Sequence, residues 1–333
     1  MQKRPLGEFE LIGLIKDLFS DMPGEDMEGI GDDCSVIPFS EKESFLISTD
    51  MLLEGVHFLT SKIDPYDLGR KTISVNLSDI AAMGGRPVAS FLSIGLPADI
   101  TEEWRERFIA GYKSVSQEFS VPLLGGDTAS SKHGIALNVT VIGRTDKCNI
   151  KRRGDARTGD FICVAGKLGD SVAGLRLLLS NDGKLGENEK YLIKRHNDPV
   201  ALVREGEWLG CRNEVHAMMD VSDGIASDLN HILRASDKGA VVDVEKLPVS
   251  NALKKVAGER QWDMHELAAA GGEDYALLFT ADAEGFTLLA DSFRHEFGSD
   301  LFIIGKITDS PAITTWTQEG KVIYPEYKGF THF

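Results

Sequence analysis

Six times along this chain an apolar run ends in a short acidic turn, and each turn places a carboxylate beside glycine or a hydroxyl residue. The turns are Gly-Ile-Gly-Asp-Asp at 29–33, Ser-Thr-Asp at 48–50, Asn-Leu-Ser-Asp at 76–79, Gly-Gly-Asp at 125–127, Asp-Val-Ser-Asp-Gly at 220–224 and Gly-Gly-Glu-Asp at 271–274. Acids that only solvate a surface need no such neighbours. Acids that hold a hard cation against phosphate do, because the backbone must approach closely and the carboxylates must converge. Carboxylate, hydroxyl and water are the donors Mg²⁺ prefers, commonly together with phosphate oxygens. The pattern therefore points to metal-dependent phosphoryl transfer. No G-x-x-x-x-G-K-[ST] run is present, so a P-loop is not the phosphate-binding device.

The runs between these turns alternate helical and strand-like periodicity, which predicts an α/β (α+β) chain of two domains. Residues 9–19 carry a helical apolar stripe, and 20–31 read as a polar, glycine-rich loop. Strands are expected near 34–39 and 44–49, and then a helix over 65–83, opened by Pro65 and stopped at Gly84-Gly85. Its buried face is Ile73, Leu77, Ile80 and Ala81, and Asp79 lies late in it, where an acid opposes the helix dipole. A strand at 88–96 precedes a helix capped by Thr101 and running to Phe119, with Trp104, Phe108, Ile109, Tyr112 and Val115 as its apolar face. Residues 121–124 read as a strand ending at the 125–127 turn, and 135–143 as another. The basic stretch 145–159 marks the boundary, giving domains 1–148 and 149–333. Beyond it come a strand at 161–165, a helix from Asp170 to Leu179, a polar surface loop at 180–189 and a strand at 217–221. A helix to Ser236 and strands near 240–244, 275–280 and 302–307 follow.

The net charge of −16 argues against binding a nucleic-acid backbone, which needs clustered cations. An acidic chain that binds an anionic nucleotide needs an offsetting charge, and bound divalent metal supplies one. The four cysteines form no C-x-x-C pair, and Cys163 sits in an apolar run as an expected buried thiol. Both features suit a reduced, cytoplasmic setting. Residues 1–7 show no secretory pattern, and nothing approaches the roughly 18 consecutive apolar residues of a membrane span.

In this order, and over nearly the whole chain, the motifs resemble the thiamine-monophosphate kinase family of the aminoimidazole-ribonucleotide synthetase superfamily. They run from Gly7-Glu8-Phe9 through Gly-Ile-Gly-Asp-Asp-Cys, Ile-Ser-Thr-Asp, Asn-Leu-Ser-Asp-Ile-Ala-Ala-Met-Gly and Leu-Gly-Gly-Asp-Thr to the tail Tyr327–Phe333. The resemblance implies ATP-dependent phosphorylation of thiamine monophosphate to thiamine diphosphate by direct transfer, several Mg²⁺ ions, and a homodimer whose N-terminal domains pair through their sheets. It implies metal ligation by Asp33, Ser48, Thr49, Asp50, Asp79, Asp127, Asp220 and Asp223. It gives ATP contacts to Gly126, Asp127, Arg153 and Ser222, with Arg152 adjacent to Arg153 as an alternative. Thiamine-side contacts fall to His57, Glu273 and Tyr327, the last at a position where members of the family carry tryptophan.

Each of these residues also has a structural reading: turn-forming Asx, strand-end N-cap, basic linker, or packed C-terminal aromatic. No acid–base residue is assigned, because the attacking phosphate oxygen is already anionic at neutral pH. Three other functions fit parts of the pattern. A selenophosphate-synthetase-like enzyme would carry a reactive cysteine near its N-terminus, whereas the first here is Cys34. A hydrogenase-maturation relative would end in a cysteine-bearing tail, and this chain ends in Thr-His-Phe. A non-catalytic nucleotide-binding module would bind ATP without turnover.

Overall fold

The computed structural model describes residues 7–180, 185–311, 313–327 and 329. Most of the tail motif after Tyr327, and residues 181–184 of the expected loop, lie outside them. The N-terminal half contains α1 (Glu8–Leu18), β1 (Ser35–Pro38), β2 (Glu43–Leu53), α2 (Pro65–Ala82), β3 (Arg86–Leu96), α3 (Glu102–Glu118), β4 (Leu123–Ser130) and β5 (Ala136–Asp146). Its five strands form one sheet in the order β1-β2-β5-β3-β4, antiparallel except for the parallel β3–β4 edge.

Burial on β5 alternates residue by residue, so one face of this sheet is covered and the other is not. Leu46, Val139 and Val141 pack from the covered face against Ile73, Leu77 and Ile80 of α2 and Tyr112 and Val115 of α3. Each such aliphatic side chain contributes about 1.5–3 kcal/mol of burial. Phe45, Ile47, Thr49 and Met51 line up on the opposite face, half-buried or exposed.

The second half contains β6 (Phe161–Ala165), α4 (Asp170–Leu179), α5 (Glu187–Asn197), α6 (Val203–Gly210), β7 (Val215–Asp220) and α7 (Ile225–Ser236). It continues with β8 (Gly239–Asp243), α8 (Asn251–Arg260), α9 (Met264–Ala270), β9 (Leu277–Ala281), α10 (Phe286–Phe297), β10 (Leu301–Thr308), β11 (Thr314–Gln318) and β12 (Lys321–Ile323). Its seven strands follow the order β12-β11-β8-β10-β6-β9-β7. Here β9 is buried at every position, because helices cover both faces. Ile162, Val164 and Met219 meet α7 on one side, and Cys163, Met218 and Phe279 meet α10 on the other.

Local signals decide many boundaries. Asp64 caps α2 by accepting from the Tyr66 amide (2.8 Å), and Thr101 caps α3 by accepting from the Trp104 amide (3.1 Å). Helices α4 and α7 end where the sequence predicts.

Four differences have physical causes. Strand β2 runs to Leu53, because β5 pairs with it over its whole length, so Thr49 and Asp50 lie within a strand and not at its end. Strand β4 begins at Leu123 and continues through Gly125-Gly126-Asp127 to Ser130, exposed throughout at the sheet edge. Helix α2 is buried nearly all round, including Lys71, Thr72, Ser74, Asn76 and Ser78, because the second half covers its polar side. The polar segment from Glu187 forms α5, where only a loop was expected. The apolar stripe of α1 forms as predicted but buries no residue within the chain, and Ile109 of α3 is exposed.

Candidate active site

The polar side of α2 faces strand β7, and this contact assembles the site. Asp33, Asp79 and Asp220 each place a carboxylate oxygen within 4.8 Å of the other two. They come from the loop before β1, the last turn of α2 and the end of β7. Hydroxyls from the same elements aim at them. Ser78 Oγ donates to Asp220 (2.6 Å), and Ser48 Oγ donates to Asp79. The Asp50 carboxyl pairs with that of Asp79, and its backbone N–H donates to Asn76 Oδ1 (3.1 Å).

The electrostatics are those of a site awaiting positive charge. Burial, and then the Asp33 carboxylate, push Asp220 up to about 8. Burial, then Asp50, Asp220 and Asp33, raise Asp79 well above the usual carboxylate range. Burial, followed by Asp33, raises Asp32 to about 7. One cation of the chain reaches this group: Arg153 Nη2 lies 2.5 Å from Asp33 Oδ1, and its backbone N–H donates to Asp32 (3.1 Å). Arg152 instead forms an ion pair with Glu28. Asp33 Oδ2 remains buried with no hydrogen-bond partner among the described residues. An all-oxygen donor set, mutually raised carboxyl groups and an orphaned buried oxygen fit a hard divalent cation.

A cavity of about 900 Å³ opens from this cluster between the two halves. Thr49, Asp50, Asp79, Asp220, Ser222 and Asp223 line it, together with His57, Glu273 and Tyr275. His57 Nδ1 accepts from the Leu53 amide (3.0 Å), which places the proton of the neutral ring on Nε2. Glu273 and Tyr275 both adopt left-handed backbone (φ +62° and +50°). Such residues cost of order 1–3 kcal/mol each and persist where the surroundings hold them. The holding group is Asp274 between them, whose carboxylate accepts from the Gly169 (2.6 Å) and Ser171 (3.0 Å) amides.

Not every expected residue arrives by its side chain. Successive strand residues point to opposite faces. Ser48 and Asp50 therefore face the cluster, while the Thr49 hydroxyl turns to the uncovered sheet face, beside Thr140 Oγ1 (3.0 Å) and Asn138 (3.2 Å). Gly126 and Asp127 lie on the exposed edge strand and do not line the cavity. Gly126 has a packing reason to be glycine: at φ +149°, a Cβ would sit 1.7 Å from the Leu92 carbonyl oxygen. Tyr327 does not line the cavity either; it packs edge-on against Trp316 (ring centroids 5.1 Å apart).

Among the wall residues that the sequence reading did not single out are Lys71, His196 and Asn197. For Lys71 a signal existed, since Lys71, Val75 and Asp79 share one helical stripe at i, i+4 and i+8. For His196 and Asn197 none did, because α5 was not anticipated.

A carboxylate cluster in a cleft between two α/β domains is the setting in which the known relatives become informative. Residues 31–145 match the family described as "AIR synthase related protein, N-terminal domain", and 157–317 match "AIR synthase related protein, C-terminal domain". Thiamine-monophosphate kinase of Escherichia coli K12 is 36% identical over 98% of both chains, and that of Aquifex aeolicus is 38% identical over 92% of this chain and 97% of its own. The solved structure "AaThiL complexed with AMPPCP and TMP" superposes with a TM-score of 0.87, at 35% identity and full coverage of both chains. This chain belongs to the thiamine-monophosphate kinase family. A hydrogenase maturation protein HypE in complex with ATP, 18% identical with a TM-score of 0.68, shares the fold.

Proposed function

We propose that this protein transfers the γ-phosphoryl group of ATP to thiamine monophosphate, giving thiamine diphosphate and ADP. The observation that carries the reading is one cleft lined both by converging carboxylates and by His57 and a pre-set Glu273, in a chain of this family. A phosphate oxygen of thiamine monophosphate bonds to the γ-phosphorus as the bond to the β,γ-bridging oxygen breaks, and ADP departs with that electron pair. The attacking oxygen is already anionic, so the work left to the protein is alignment and charge neutralisation.

Asp33, Asp79 and Asp220, with Ser48, Asp50 and Asp223, are the residues that would hold Mg²⁺. Bound Mg²⁺ would neutralise the two phosphates that must meet. Arg153, paired with Asp33, is the basic residue that would exchange that carboxylate for a nucleotide phosphate, and Ser222 lines the cavity. His57, through Nε2–H, and Glu273, through its carboxylate, face the thiamine end.

Gly126 and Asp127 reach a nucleotide in this scheme only if the edge strand borders a site shared with a second copy. The uncovered face of the five-stranded sheet and the exposed β4 support a homodimer formed there. The division at 148/149 assigns the first domain to metal and ATP and the second to completing the nucleotide and substrate sites. Four free thiols support a cytoplasmic setting, and among the described residues no helix is long and apolar enough to cross a membrane.

The test is a turnover assay with ATP, Mg²⁺ and thiamine monophosphate. ADP release that depends on thiamine monophosphate is expected. Folded protein that binds ATP but releases no ADP under these conditions is a binding module and not a kinase.

A further inference from the structure

Lys71 is a lysine with 1% of its side chain exposed, in the wall of a cleft whose other end collects aspartates. It lies eight residues before Asp79 on one straight helix, which places it about 12 Å along the axis at 1.5 Å per residue. It is therefore remote from the carboxylate cluster. Its ammonium is spent on two groups: Glu273 Oε1 at 2.9 Å and the His196 carbonyl at 3.2 Å. The other Glu273 oxygen lies 3.3 Å from His196 Nδ1, which is also 3.0 Å from Ser171 Oγ.

We propose that Lys71 is a positioning residue for substrate recognition: it fixes the Glu273 carboxylate, charged and oriented, to accept hydrogen bonds from the amino-substituted nitrogen heterocycle of the substrate. The proposal rests on the kinase reading of the cleft and names what sets specificity at its thiamine end.

Packing alone does not call for a charge at this position. A buried ammonium is costly to desolvate, and an apolar side chain of similar length would fill the space. What an ammonium adds is its effect on the neighbouring acid. Burial, the largest single influence, drives Glu273 toward the neutral form, and the Lys71 charge, His196 and the Lys71 hydrogen bond outweigh it together, holding the carboxyl below its usual range. His57 acts in the same direction, and the Tyr275 phenol is the remaining titratable group beside it. An ionised carboxylate only accepts hydrogen bonds, whereas a protonated one also donates. Lys71 thus makes the site select ring donors and reject ring acceptors. The left-handed backbone of Glu273, tied by its N–H to the Ser222 carbonyl (2.7 Å), keeps the carboxylate between Lys71 and the cleft.

The experiment compares Lys71→Met, Glu273→Gln and the double variant with the wild type. KM is measured for thiamine monophosphate, for ATP and for the 4-oxo analogue of thiamine monophosphate. Losing a buried, charge-assisted contact corresponds to about 10- to 100-fold. That rise is expected in KM for thiamine monophosphate in Lys71→Met, with KM for ATP within about 2-fold by the same arithmetic. Preference over the 4-oxo analogue should shrink by a similar factor.

The double variant should be no worse than Glu273→Gln alone, because Lys71 acts through that carboxylate. It also removes both charges together, so it reports even if Lys71→Met folds poorly. An unchanged KM for thiamine monophosphate in folded Lys71→Met overturns the proposal, as do effects that multiply in the double variant or a parallel rise in both KM values. A wild type that turns over no thiamine monophosphate overturns the kinase reading itself.

Discussion

Replacing Asp79 by asparagine should make the metal-free protein no less stable while removing most of its response to Mg²⁺. The magnitude follows from the cluster. With oxygens of Asp33, Asp79 and Asp220 within 4.8 Å of one another, each pair of ionised groups repels by about 3.5 kcal/mol at an effective dielectric of 20. The protein relieves this by retaining protons, as the raised Asp79 and Asp220 groups show. An asparagine at 79 keeps an acceptor for Ser48 and deletes one charge from the group. In chelator, the variant should therefore match the wild type or exceed it by about 1–3 kcal/mol. A cation that binds only the folded state stabilises it by about 2.7 kcal/mol at 100 times its Kd. For a domain of this size that is roughly 5–10 °C in Tm. Thermal unfolding followed by circular dichroism, in chelator and across a Mg²⁺ titration, reads both quantities. The wild type should shift by that amount, and Asp79→Asn by less than about a third of it. Equal Mg²⁺ shifts in the two proteins would refute the assignment of this cluster to metal. So would a variant destabilised in chelator, which would make Asp79 a structural anchor.

Asp50→Asn should abolish turnover in the phosphoryl-transfer assay while leaving the unfolding curve in place, since its backbone tie to Asn76 survives; residual activity near wild type removes Asp50 from the site. His196 is held down to about 4, chiefly by burial, so its contribution to stability is complete above pH 6.5 and is lost as pH falls from 6.5 toward 4. The wild type minus His196→Gln difference in urea unfolding should shrink by roughly 3 kcal/mol across that window, and a pH-independent difference contradicts it. Gly111→Ala would put a Cβ 1.9 Å from the Tyr66 carbonyl, where α2 and α3 touch. It should cost about 1–3 kcal/mol or more by urea denaturation. Gly13→Ala on the open side of α1 meets nothing within 4 Å and should gain about 1 kcal/mol from helix propensity.

Elements defined by their own caps and periodicity were legible in the sequence. Thr101 opens α3, α4 spans the expected residues, and α7 ends at Ser236 as expected. The convergence of Asp33, Asp79 and Asp220 was legible as chemistry before any geometry, because the acidic turns share one grammar and their order along the chain resembles one family. The failures share a cause: they depend on what lies across from a residue and not on what lies beside it. Helix α2 looked one-sided because its second partner is another domain, which satisfies two of its polar residues, Ser78 by Asp220 and Lys71 by Glu273. Strand β4 looked finished at Leu124, because glycines end strands unless a neighbour demands their close approach, as Leu92 does of Gly126. The direction of the Thr49 side chain was legible too, since two-residue periodicity already separates it from those of Ser48 and Asp50. Tyr327 packs on Trp316, a partner that no local pattern indicates.

The central claim is that phosphoryl passes directly from ATP to the phosphate of thiamine monophosphate in the Asp33–Asp79–Asp220 cleft. Incubation with γ-labelled ATP, thiamine monophosphate and Mg²⁺, followed by separation of products, measures it. The account predicts label on the terminal phosphate of thiamine diphosphate, one ADP per labelled product, and none on the protein. Label found only in orthophosphate, or retained on the protein, would contradict it.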